Sequence, residues 1–271
     1  MQAFFNEVLS IVAEYKGYLL QGIGFTMLIA LSGTIIGLVI GLITGIIRTI
    51  PKSKNPVIRV ILKIVNVLIS IYVEVFRGTP MMVQAMVIFW GFALLNDGKT
   101  LEVIYWGYAF MNGGQTLPLI PAGMFIVSIN TGAYMAEIVR GGIISIDKGQ
   151  FEGAYSIGMN HWQTMINVIV PQTMRNILPA ISNEFVINIK DTSVLNVIGV
   201  TELFFFTSKI SKMTWAIFES YCVACVIYFV LTFTITRILK AIEHKIDGPS
   251  SYLIHHSSTM PDASFSAEEA R

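Results

Sequence analysis

The sequence predicts an all-α integral membrane protein with about five transmembrane helices, and three observations carry that prediction. Hydrophobic residues make up 54% of the 271 and charged residues only 13%, whereas soluble domains hold about 25% charge. Mean hydropathy is +0.67. The apolar residues also gather into long runs separated by short charged segments. This composition excludes an ordinary cytosolic enzyme and a disordered scaffold, and a net charge of +1 supplies no basic field for nucleic acid. The two cysteines, Cys222 and Cys225, are too few for a disulfide-rich secreted domain.

The first run, Gly22 to Ile47, has no ionisable group and exceeds the roughly 20 residues that cross the hydrocarbon core. Its flank carries Glu7 and Glu14 rather than a basic cluster, so it does not read as a cleaved signal peptide. Gly33, Gly37, Gly41 and Gly45 recur every fourth residue, the spacing of a face against which another helix packs closely. The second run, Val57 to Leu95, is too long for one straight crossing, and its start, with Arg59 and Lys63, is expected to protrude from the membrane or lie on it. The third extends from Leu117 to about Val139. The fourth, Val168 to Val200, is interrupted by Pro171 and Pro179, and the fifth is Trp215 to Leu239.

Charge in a span is costly and marks function by default. In the second run, Glu74 and Arg77 are three apart and share a helix face. Gly78 and Pro80 then weaken the helix, freeing backbone groups that must face protein or a water-filled cavity. Two readings stand: a salt-bridged kink, or a polar stretch lining a path that also takes in Thr79 and Gln84. The fourth run repeats the theme with Asn183, Glu184, Asn188, Lys190, Asp191, Thr192, Ser193 and Asn196. Arg77 and Lys190 could attract an anionic group, and Glu74, Glu184 and Asp191 a cationic one.

With five spans, twelve of the 18 Lys and Arg residues fall on one side: Arg48 to Lys63, then Arg140, Lys148 and Arg175, then the tail. The positive-inside bias puts that side in the cytoplasm, with the N-terminus outside and the C-terminus inside. The expected organisation is an external segment at 1–17, a membrane domain at 18–245 and a disordered cytoplasmic tail at 246–271. The cytoplasmic stretch from Asp147 to Trp162 predicts a short helix capped by Asp147 and ended near Gly158. It is either an interfacial connector or a knob offered to a soluble partner.

Gly98-Lys99-Thr100 ends like a phosphate-binding loop, but Ala93 stands where that loop needs glycine, and no strand precedes it. No nucleotide site is therefore expected. Cys222 and Cys225 lie within an apolar run without a second ligand pair and read as packing residues.

These residues resemble the permease subunits of ATP-binding-cassette importers, whose cytoplasmic loop reads E-A-A, three residues, G, nine residues, I-x-L-P. Here Glu152-Gly153-Ala154 is followed by Gly158, then Val168, Val170 and Pro171, departing at Gly153, Val168 and Val170. Glu74 to Pro80, Gly132 to Gly142, Pro171-Gln172 with Arg175, Leu178-Pro179, Asn183 and Lys190 to Val194 narrow the resemblance to polar amino acid uptake permeases over roughly residues 18 to 245. The segments from Arg48 to Tyr72 and from Asn96 to Gln115 are longer than is usual there.

The resemblance implies a bacterial inner-membrane protein acting as a dimer of identical or homologous permeases. It implies an external solute-binding protein and two cytoplasmic ATPase subunits, which hydrolyse ATP with Mg, while this chain binds no cofactor and is not itself an enzyme. The loop of Asp147, Phe151, Glu152, Gly153, Ala154 and Gly158 would dock in a cleft of the ATPase. The amino acid would pass along Glu74, Arg77, Thr79, Gln84, Glu184, Lys190, Asp191, Thr192 and Ser193. A secondary transporter of small polar solutes is the alternative, but such folds usually carry internal repeats, and none stands out.

Overall fold

The computed structural model describes residues 2–51, 55–95 and 119–247. They form α1 (Gln2–Ile47), α2 (Pro56–Gly78), α3 (Met81–Leu95), α4 (Ile120–Ile144), α5 (Lys148–Ser156), α6 (His161–Thr164), α7 (Val170–Asp191), α8 (Leu203–Thr214) and α9 (Ile217–Asp247). A π turn at Met165–Ile169 joins α6 to α7, and a 3-10 segment at Thr192–Ile198 continues α7. Helices α1, α2, α4 and α9 are long and apolar enough to cross a membrane. The bent pair His161–Ile198 and Leu203–Thr214, 56° apart, brings the number to five, as the apolar runs predict. The expected tail beyond Asp247, the Gly98-Lys99-Thr100 stretch and the loop around Asn96 to Gln115 lie outside the described residues.

The pairing of α1 with α4 organises the bundle, and the glycine stripe explains it. A methyl group added at Gly37 would lie 2.8 Å from Thr131 Cβ, and one at Gly45 2.7 Å from Val139 Cγ1. The backbones approach this closely only because those positions lack side chains. Replacing Gly37 by leucine is expected to cost about 1–3 kcal/mol by overpacking. In detergent solution the variant should melt below the parent; an unchanged melting temperature would refute the close approach.

A buried polar hub ties a third helix to this pair. Asn188 Nδ2 on α7 donates to Thr34 Oγ1 on α1 at 2.8 Å, and Thr131 Oγ1 on α4 donates to Asn188 Oδ1 at 3.0 Å. With no water available at that depth, such groups must satisfy one another.

Helix α1 starts twenty residues earlier than its apolar run. Residues 2–17, the segment expected outside the membrane, are the first part of α1, bent at Tyr15. Ile11 and Leu19 are buried against Leu203, Ile210 and Val223 of α8 and α9, and that packing carries the helix through Glu14 and Lys16. At the same end of the bundle Glu202 is fully buried. Its carboxylate accepts from the backbone of Phe205 at 2.7 Å and Phe204 at 2.9 Å, and from the Tyr228 hydroxyl at 2.8 Å. It thereby caps α8 and fastens it to α9.

Candidate translocation path and coupling element

The Gly78-Thr79-Pro80 sequence breaks the second run, as its composition predicts, into α2 and α3. The freed carbonyls find partners inside the bundle. Gln84 Nε2 lies 2.8 Å from each of Phe76 O, Thr79 O and Thr79 Oγ1, while Asn130 Nδ2 donates to Gln84 Oε1 at 2.7 Å. Gln84 is buried. Its role here is to hold the break open, and Thr79, which also donates to Val75 O at 2.7 Å, shares that role. Gln84→Leu would take this donor from the part-buried Phe76 and Thr79 carbonyls, at a cost of about 0.5–1.5 kcal/mol. It should lower the melting temperature of the solubilised protein, whereas Gln84→Asn or a neutral outcome at Leu would contradict the bonding if either melted like the parent.

A second discontinuity, the change from α7 to the 3-10 segment at Asp191 and Thr192, lies one turn beyond the Asn188 hub. Both breaks therefore flank residues 130 and 131, near the middle of α4, and residues near the middle of a spanning helix sit near the membrane midplane. Arg77 is exposed and its guanidinium stands 5.6 Å over the Tyr134 ring of α4. Glu184 and Asp191 are half-buried, and both Arg77 and Asp191 lie within electrostatic reach of Glu184. The structure thus gathers Arg77, Glu184 and Asp191 into one neighbourhood.

The remaining predicted path residues are distributed differently. Among the described residues no ion pair joins Glu74 to Arg77, so the salt-bridged kink does not form. Glu74 instead lines a groove on α2 with Lys63, Asn66 and Ser70. Lys190 turns towards a groove of about 260 Å³ shared with Phe229, Phe233 and Arg237 of α9. Thr192 is fully buried and donates to Ile189 O at 3.0 Å; Ser193 donates to Lys190 O at 2.7 Å. Tyr134 entered only within the Gly132–Gly142 stretch of the family resemblance, and Asn130 and Thr131 were not singled out by the sequence, because as single polar residues in an apolar helix they carry no pattern. Nor was the cluster in which Glu137 accepts from Arg140 Nη2 at 2.9 Å and from Arg48 at the end of α1. Glu137 and Arg140 also stand within the Gly132–Gly142 stretch of the family resemblance, three residues apart.

The loop after α4 forms the short helix that its caps predict. Asp147 Oδ1 accepts from Gly149 N at 2.7 Å. At the other end Gly158 has φ +82°, with Met159 N bonded to Ala154 O at 3.1 Å and Gly158 N to Tyr155 O at 3.0 Å, the pattern of a glycine C-cap. Helix α5 has two faces. Ala154 is buried, and Phe151 packs with Ile146, Met165 and Ile169. Glu152 and Gly153 are exposed, beside exposed Tyr155, Ile157 and Trp162. The π turn that follows precedes Pro171, whose ring would collide with the Asn167 carbonyl in a regular helix.

Together these features define a multi-pass membrane protein with broken helices at mid-depth and a two-faced helix on one end. The chain matches the family described as "Binding-protein-dependent transport system inner membrane component" over residues 59–248, and it belongs to that family. It is 36% identical over 179 residues to the L-cystine transport system permease protein TcyB of Bacillus subtilis (strain 168), covering 66% of this chain and 69% of that one. It is 34% identical over 183 residues to the glutamine transport system permease protein GlnP of Escherichia coli (strain K12), covering 68% and 76%. A solved structure described as an amino acid ABC transporter with histidines aligns with a TM-score of 0.66 at 34% identity, over 87% of this chain and 96% of the other.

Proposed function

We propose that this chain is the membrane-spanning permease subunit of an ATP-driven amino acid importer and forms the path along which the solute crosses. The observation that carries the reading is α5: a short helix fixed at both ends by caps, anchored inward by Phe151 and presenting Glu152 outward. A helix so held transmits a push from a soluble partner into α4 and α7, its neighbours in sequence. The partner is a cytoplasmic ATP-binding-cassette ATPase, which supplies the ATP and Mg chemistry that this chain leaves to it. A second, identical or homologous, permease and an external solute-binding protein complete the assembly.

The substrate is a zwitterionic amino acid. Arg77 attracts its carboxylate, and Glu184 and Asp191 its ammonium group, near the membrane midplane. The named substrates of the relatives, cystine and glutamine, are amino acids of this kind. Orientation follows the basic residues, with the N-terminus outside and the C-terminus cytoplasmic. A reporter fused after Lys245 should be active only if it works in the cytoplasm; the opposite result would reverse the orientation. The function itself is tested by purifying the tagged chain in mild detergent. An ATP-binding-cassette subunit should co-purify in stoichiometric amount, and its absence from an intact, monodisperse preparation would favour a secondary transporter.

A further inference from the structure

Helix α2 does not end where its charged residues begin. It is continuous from Pro56, capped by Asn55, to Gly78, and is of membrane-crossing length. Along it, Arg59, Lys63, Asn66, Ser70, Glu74 and Arg77 recur at intervals of three and four residues, the spacing of a single helix face. Apart from Tyr72, these are all of its polar side chains, and the Tyr72 hydroxyl is bonded to Ile129 O at 2.6 Å. The stripe borders an open groove of about 710 Å³ lined by Lys63, Asn66, Ser70 and Glu74 together with the apolar Val67 and Ile71. A different face, with Ile61, Ile64, Leu68 and Val75, is exposed and wholly apolar.

The stripe covers about 27 Å at 1.5 Å per residue. It begins at Arg77, beside Tyr134 in the middle third of α4, and runs to Arg59 past Val65, which packs on the same buried cluster as Ile47 at the end of α1. It therefore links the mid-depth neighbourhood of Arg77, Glu184 and Asp191 to the end of the bundle that carries α5. Lipid would not tolerate a polar line of that length, so this face meets water or protein.

We propose that the α2 stripe is one wall of a water-filled release lane through which the amino acid leaves the midplane for the cytoplasm, and that its cationic end disfavours net-cationic amino acids. The proposal rests on the permease reading above. Lys63 lines the groove at the end nearer α5, and the carboxylates near Arg77, Glu184 and Asp191, lie at the other end of the stripe. Lys63 draws a carboxylate along the lane and repels a second positive charge on the solute.

The experiment uses the complete transporter in vesicles, with Cys222 and Cys225 replaced by alanine. Asn66→Cys and Ser70→Cys should react with a charged, membrane-impermeant thiol reagent about tenfold faster than Ile64→Cys and Leu68→Cys, because only hydrated thiols ionise readily. Equal or slower labelling of the stripe would overturn the lane. Separately, Lys63→Glu should raise uptake of arginine relative to glutamine by about threefold through removal of like-charge repulsion; an unchanged ratio would overturn the charge selection. Labelling reads the lane whether or not uptake occurs. Normal ATP-driven uptake with an unlabelled stripe would remove the lane and leave the permease reading standing, and a labelled stripe without ATP-driven uptake would do the reverse.

Discussion

Glu152→Lys and Gly158→Asp are expected to abolish ATP-driven uptake while leaving the chain inserted and folded. Glu152 is exposed on α5, and among the described residues its carboxylate has no hydrogen bond or ion pair, so charge reversal acts on whatever α5 docks into. Gly158 is a sharper probe. Among the described residues a side chain there would meet nothing within 4 Å, so its left-handed backbone, φ +82°, is what resists substitution, at a cost of about 1–2 kcal/mol. That strain loosens the cap without breaking the bundle. Loss of uptake in a variant that still melts like the parent therefore reports on docking. The check is transport-linked ATP hydrolysis in reconstituted vesicles with binding protein present; parental rates for both variants would remove the coupling role from this loop.

Arg77→Ala is expected to lower uptake by at least about tenfold, equivalent to about 1.4 kcal/mol of lost interaction, in a complex that still assembles. The sequence alone pointed to a harsher outcome, because an arginine paired with Glu74 inside the membrane could not be removed without stranding its partner. The structure places Arg77 over Tyr134 at an exposed position instead, so its removal leaves no orphaned carboxylate at Glu74. The measurement is initial uptake rate alongside yield of assembled complex. Normal uptake would show that the guanidinium does not face the solute, and loss of assembly would show that it serves the fold.

Features governed by local chemistry were legible in the sequence. Asp147 and Gly158 mark the ends of α5 because capping needs a short acceptor at one end and a left-handed residue at the other. The four-residue glycine spacing marks the α1–α4 contact, and Gly78 with Pro80 marks the break after α2. Features that depend on tertiary neighbours were hidden. The early start of α1 owes itself to Ile11 packing on α8 and α9, which no reading of Glu7, Glu14 and Lys16 could reveal. Glutamate is not a favoured helix cap, so Glu202 gave no sign that it holds α8 until Tyr228 was seen to close on it. Residue type pointed to Arg77, Glu184 and Asp191, which the structure brings into one neighbourhood. It did not separate them from Gln84 and Thr192, which are buried and bonded within the bundle. The α2 stripe was readable in its spacing, but Arg59 and Lys63 looked like the flank of a span rather than part of one.

The most direct test is uptake by vesicles holding this permease with its ATPase. Binding protein and a labelled zwitterionic amino acid are added outside, with ATP and Mg inside. The amino acid should accumulate only with ATP and binding protein present, and without any imposed ion gradient. Accumulation driven by a proton or sodium gradient in vesicles lacking ATP would contradict a permease worked from α5.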